Sequence, residues 1–131
     1  MDGLDGAPGV HTADWAETGA GRDFMQAMRR TWEALEARGA PEPRRAQFRA
    51  TLLMLWPDGH EEVFEGVAPG RLVWPPRGQL GHGYDPMFVP DAQPGDLTSA
   101  EMTPEAKDAI SHRGQAVRAI VPAVVAHLEG R

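Results

Sequence analysis

The sequence has no cysteine and only one tyrosine. Without thiols there can be no disulfide, no thiolate zinc site and no cysteine nucleophile. Basic residues are the minority charge: 13 Lys and Arg stand against 19 Asp and Glu, for a net charge of −6. A surface that coats nucleic acid needs clustered Lys and Arg, so no polymeric nucleic-acid partner is expected. A small anionic ligand remains open, because one Lys and one Arg can serve it locally. Long apolar runs are also missing. The longest spans residues 52–56, far short of the roughly 20 residues that cross a bilayer as a helix. No basic-then-apolar leader is seen, so the expected location is the cytoplasm and no membrane partner is expected. G-x-S-x-G, P-loop and H-E-x-x-H patterns are absent as well.

What is present fits a single domain over residues 1–131. "GAPGV" near the start signals a turn, and residues 1–21 read as loop and strand remnant. Phe24, Met28, Trp32 and Leu35 recur at spacings of four, four and three, which predicts one apolar helix stripe ended by Gly39 and Pro41. From residue 45 polarity alternates, and from Leu52 both faces turn apolar, which predicts a strand buried on both sides. Pro57-Asp58-Gly59 is hairpin chemistry: proline presets φ, aspartate caps and glycine takes positive φ. A returning strand, a turn at "APGR", a short strand at "LVWPP" and another at "PMFVP" are expected next.

Thr103-Pro104 starts a helix that is expected to run to Gly130, with a bend or break at Pro122. Ala109, Ile110, Ala116, Val117, Ile120 and Val124 are its predicted buried face. The fold class is α/β in the mixed α+β sense: a curved, largely antiparallel sheet with packed helices.

Two constellations could carry chemistry. In "GQLGHGYDPMFVP", Gly78, Gly81 and Gly83 can bring backbone N–H groups close to a flat or anionic ligand. His82 and Tyr84 add ring faces, and Asp85 adds an acceptor. The simpler reading of the same residues is a glycine hairpin with Asp85 capping its own turn. In "AKDAISHRG", Lys107 and Ser111 share a helix face, and His112 and Arg113 sit where the helix meets a glycine. Lys and Arg suit a phosphate or a carbonyl oxygen. A solvated amphipathic helix capped by His112 is the alternative there. His11, His60 and His127 lack ligand spacing, so no metal ligand is expected among them. Trp15, Trp32, Trp56 and Trp74 fit core or sheet-cover roles.

In order, "GAPGVHTADW", "GHGYDPMF" and "KDAISHRGQA" resemble the inosine/xanthosine triphosphate pyrophosphatases, whose members carry G-A-P-G, G-F-G-Y-D-P and K-x-A-I-S-H-R segments. The resemblance runs from residue 3 almost to the C-terminus. It implies the C-terminal portion of that fold, a homodimer, and hydrolysis of non-standard purine nucleoside triphosphates (ITP, dITP, XTP) to monophosphate and pyrophosphate with Mg2+. It also implies substrate-binding roles for His82, Gly83, Tyr84, Asp85, Lys107, His112 and Arg113, with the residue before Gly83 stacked on the base. Inosine and xanthine present a 6-oxo acceptor where adenine has a 6-amino donor. Donors from Arg113 or His112 would therefore match the first and be stranded by the second. An unmatched buried donor costs about 1–3 kcal/mol, or about 10- to 100-fold in affinity.

The sequence departs from the family pattern in three places. His82 replaces the usual Phe, which would make stacking on the base depend on pH. Asp14 stands in a stretch where many members have an arginine. The family's S/T-x-N-x-x-K turn, its metal-binding Glu and its D-S-G-L segment, whose Asp is taken as catalytic base and magnesium ligand, find no counterpart. No catalytic or metal residue is thus assigned in this chain, which is expected to begin just downstream of that Asp, with Met1 as a misassigned start. The alternative is an inactive truncated nucleotide-binding protein or partner subunit.

Overall fold

The computed structural model describes residues 1–93 and 95–129. The chain packs as two compact units. The first comprises Met1–Gln47 and Pro69–Pro104, and the second Phe48–Ala68 with the stretch from Glu105 onward. The architecture is mixed α/β with antiparallel sheet, as the composition of the segments predicts.

The first unit opens with three short 3-10 turns, at Asp2–Leu4, Gly9–His11 and Asp14–Ala16. A two-residue hairpin follows, β1 (Glu17–Thr18) against β2 (Gly21–Arg22). Helix α1 (Phe24–Ala37) starts where Asp23 accepts the N–H of Gln26, and it stops where Gly39 adopts a φ of 64°. Its stripe is close to the expected one. Met28 and Leu35 are buried, while Phe24 and Trp32 are half-exposed. Thr31 is fully buried among them and donates its hydroxyl proton back to the Ala27 carbonyl at 2.9 Å. That bond removes the desolvation cost that a free hydroxyl would carry.

Strand β3 (Arg45–Leu55) turns through Pro57-Asp58-Gly59 into β4 (Glu61–Leu72), and β4 pairs antiparallel with β5 (Phe88–Pro90). The hairpin chemistry works as expected: Asp58 accepts the His60 N–H at 2.9 Å, and Gly59 has a φ of 91°. Two expectations fail here. "APGR" does not turn, and "LVWPP" makes no separate strand, because β4 continues unbroken to Leu72. Pro69 falls just past the last rung beside β5, Gly70 opposite Pro90, and its carbonyl still accepts the Asp91 N–H at 3.0 Å. A Cβ on Gly70 would lie 2.6 Å from the Phe88 ring, so glycine serves a close strand crossing rather than a bend. "PMFVP" is strand only over β5, after a 3-10 turn at Asp85–Met87.

In the second unit β3 is not buried on both sides. Leu53, Leu55 and Val63 are each about 60% exposed. Only the other face of the hairpin carries a helix. Helix α2 (Pro104–Ile110) begins at Thr103-Pro104 as expected, and α3 (His112–Glu129) follows. The break falls at Ser111, while α3 runs on through Pro122. The expected end at Gly130 lies outside the described residues.

Along α3, the His112 ring stacks on Phe48 with centroids 5.2 Å apart, Gln115 accepts the Val67 N–H, and the His127 ring stacks on Trp56 at 3.8 Å. Of the predicted buried face, Ala116 is buried, Ile110, Ile120 and Val124 are half-exposed, and Ala109 and Val117 are exposed. A helix resting on one two-stranded face contacts it along a narrow line, which is too little to bury every apolar position. Among the described residues, no helix is long and apolar enough to cross a membrane.

Candidate functional site

The glycine loop belongs to the first unit. Gly81 holds a φ of 72°, and a Cβ there would stand 2.3 Å from Asp85 Oδ2. Glycine is therefore needed at this position on two grounds. Into that space the Asp85 carboxylate folds back and accepts the His82 backbone N–H at 3.0 Å. Asp85 is only 5% exposed, so its first task is to close the hairpin. The capping reading of Asp85 and the ligand reading thus fall on one side chain.

Tyr84 is equally buried. Its hydroxyl donates to the Thr12 carbonyl at 3.0 Å, and its ring meets Phe24 edge-on at 6.0 Å. Burial pushes its phenol above the ordinary value, which keeps it a neutral donor. The His82 side chain is exposed and Gly83 is half-exposed. Of the four expected site residues in the loop, those two are the ones open to solvent.

The loop is braced from behind by residues that sequence reasoning passed over. Arg77 donates to the Asp96 carbonyl at 2.7 Å and lies 3.6 Å from Glu101. Thr98 donates its hydroxyl proton to the Arg77 carbonyl at 2.7 Å, and Glu101 accepts the Thr98 N–H. The signal was available as Thr-x-x-Glu at residues 98–101, a capping box.

Lys107, His112 and Arg113 belong to the second unit. Ser111 is the hinge between α2 and α3: its hydroxyl accepts the Gly114 N–H at 2.9 Å. A Cβ on Gly114 would come within 2.2 Å of the Asp108 carbonyl, so the two helices meet where only glycine fits. Arg118, also unanticipated, donates to the Asp108 and Ala109 carbonyls and closes the exposed end of α2. This elbow presents Arg113 to solvent and leaves Lys107 half-exposed, with His112 laid against Phe48. The structure therefore gathers the seven expected site residues into two sets: four in the loop of the first unit, and three around the elbow of the second.

The remaining histidines find ordinary partners. His11 bonds Asp14 at 2.9 Å, and His60 stacks with His127. Among the described residues, no group of three His, Cys, Asp or Glu could hold a metal ion.

The fold as a whole is similar to solved structures. A HAM1 protein from Coxiella burnetii superposes with a TM-score of 0.82 at 32% identity, over 95% of this chain and 61% of that one. The fold built from these elements thus matches about three fifths of that chain. The sequence profile of the Ham1 family matches residues 1–123, and the chain belongs to that family. A dITP/XTP pyrophosphatase from Ruegeria pomeroyi is 65% identical over 92% of this chain and 58% of its own length. One from Cutibacterium acnes is 52% identical over 100% of this chain and 63% of its own length. The chain therefore spans about three fifths of the curated relatives it matches.

Proposed function

We propose that this chain is the base-recognition portion of an enzyme that hydrolyses dITP, ITP or XTP to the monophosphate and pyrophosphate. The observation that carries the reading is the Gly81–Asp85 closure, which leaves His82 and Gly83 outward on a loop with little freedom. The names of the Ruegeria pomeroyi and Cutibacterium acnes relatives support the substrate class.

In this reading the His82 ring stacks on the purine, and the Gly83 backbone approaches it closely. Arg113 and His112 donate to the 6-oxo oxygen, and Lys107 meets negative charge on the nucleotide. Asp85 and Tyr84 act as positioning residues. The described residues do not fit a Mg2+ site, so no step is derived through the metal, and the roles assigned here stop at recognition. Mg2+, a homodimer and a cytoplasmic setting belong to the same proposal.

The test uses IMP and calorimetry on this chain. IMP is expected to bind saturably, with affinity lowered about tenfold or more in Arg113→Ala, as loss of a charge-assisted donor predicts. His82→Phe is expected to keep IMP binding, because a phenyl ring also offers a face to the base. Pyrophosphate release from ITP with Mg2+, assayed on this chain and on an N-terminally extended one, separates an enzyme from an inactive nucleotide-binding protein. Failure of both forms to bind IMP would overturn the reading.

A further inference from the structure

A second set of residues in the first unit, distinct from the loop, surrounds a cavity of about 400 Å3. That size suits a mononucleotide-sized ligand. One wall is the stacked indole pair Trp32 and Trp74, with centroids 6.0 Å apart and planes within 16° of parallel. The Arg44 guanidinium lies 4.3 Å over Trp32, which fixes its plane. Arg44 Nε donates to the Ala40 carbonyl, yet Nη1 is buried with no hydrogen-bond partner among the described residues.

Arg71 lines the same cavity. Asp91, the carboxylate that feels its charge, is committed to Arg45 through two bonds, so the Arg71 guanidinium is not consumed there. Glu42 completes the set and is exposed. Two guanidinium groups call for an anion, and the indole wall for a flat ring. A carboxylate accepts hydrogen bonds only, so Glu42 calls for an N–H on that ring.

We propose that this cavity is a second binding site, taking a nucleoside monophosphate whose base carries an exocyclic amine. The base lies against the Trp32–Trp74 wall, its amine donates to Glu42, and the phosphate meets Arg44 and Arg71. This chemistry is the reverse of the 6-oxo recognition assigned to the loop and the elbow, and it depends on none of their residues.

The probe is AMP, followed through the four indole N–H resonances of the 15N-labelled chain. Trp32→Phe and Trp74→Phe assign the signals. AMP is expected to shift the Trp32 and Trp74 resonances saturably and leave those of Trp15 and Trp56 in place. Arg71→Gln is expected to weaken AMP about tenfold, and adenosine or inorganic phosphate alone to bind at least about tenfold more weakly. Glu42→Gln is expected to narrow the preference for AMP over IMP, because a carboxamide can donate as well as accept. Arg44→Gln removes a half-buried side chain that also packs on Trp32, so Arg71→Gln is the deciding variant. A Trp74 resonance unmoved by millimolar AMP, or moved equally in Arg71→Gln, overturns the proposal. Neither readout involves hydrolysis or the glycine loop, so it stands or falls separately from the proposed function.

Discussion

The two units of this chain are stabilised very differently. The first holds Leu35, Met87, Phe88 and Val89 at 3% exposure or less, and the buried side chains of Thr31, Asp85 and Thr98 there each have a hydrogen-bond partner. In the second, the buried residues among those described are small: Gly66, Ala68 and Ala116. There, large apolar side chains face water instead: Leu53, Leu55 and Val63 on the hairpin, and Val117, Val121, Val125 and Leu128 along one side of α3. The first unit therefore rests on area removed from water. The second rests on ring stacking, caps and a single narrow helix contact. Both carry residues assigned to the proposed site, one set on a firm support and the other on a yielding one.

That contrast can be broken by substitution. Leu35→Ala or Met87→Ala in the first unit is expected to cost about 2–5 kcal/mol in urea unfolding, the range for cavities in a closed core. Val121→Ala in the second is expected to stay within about 0.5 kcal/mol. Comparable losses at both places would erase the distinction. Gly81→Ala comes next. A Cβ in the space of the Asp85 carboxylate, at a positive φ, is expected to cost about 1–3 kcal/mol and to weaken IMP binding.

Gly114→Ala sharpens the comparison. It is expected to raise amide exchange in residues 105–110 by about tenfold or more while leaving α1 protected, because only the elbow loses its fit. Equal exchange throughout would show that the units respond as one. The smallest effect belongs to Asp91. Its bond to Arg45 holds the carboxyl below the usual carboxylate range, so the pair stabilises the fold above that range. The contribution is lost as pH falls through the lowered value. Both partners are more than a third exposed, so screening limits Asp91→Asn to about 0.5 kcal/mol at neutral pH, fading with salt.

Much of this was legible locally. The spacing from Phe24 to Leu35 placed α1, Pro57-Asp58-Gly59 placed the hairpin, and Thr103-Pro104 placed the start of α2. Each of these signals depends on neighbours within a turn. What failed depended on partners distant in the chain. Pro69-Gly70 has the composition of a turn, yet Asp91 and Phe88 draw it into a strand. Leu53 and Leu55 looked like core because apolar side chains mark a face without saying whether anything covers it. Arg77 and Arg118 were missed for a related reason: each bonds main-chain carbonyls 9 to 19 residues away, and carbonyls leave no mark in a sequence. In the candidate site, composition singled out the loop as one place where chemistry could sit. Only coordinates revealed that the Asp85 carboxylate is spent first on the loop itself.

That expenditure has a thermodynamic consequence. A loop fastened by its own acid has surrendered its freedom during folding, before any nucleotide arrives. Under the proposed function, capture would then not need to freeze a wandering segment, and the interaction energy there would go into affinity rather than immobilisation.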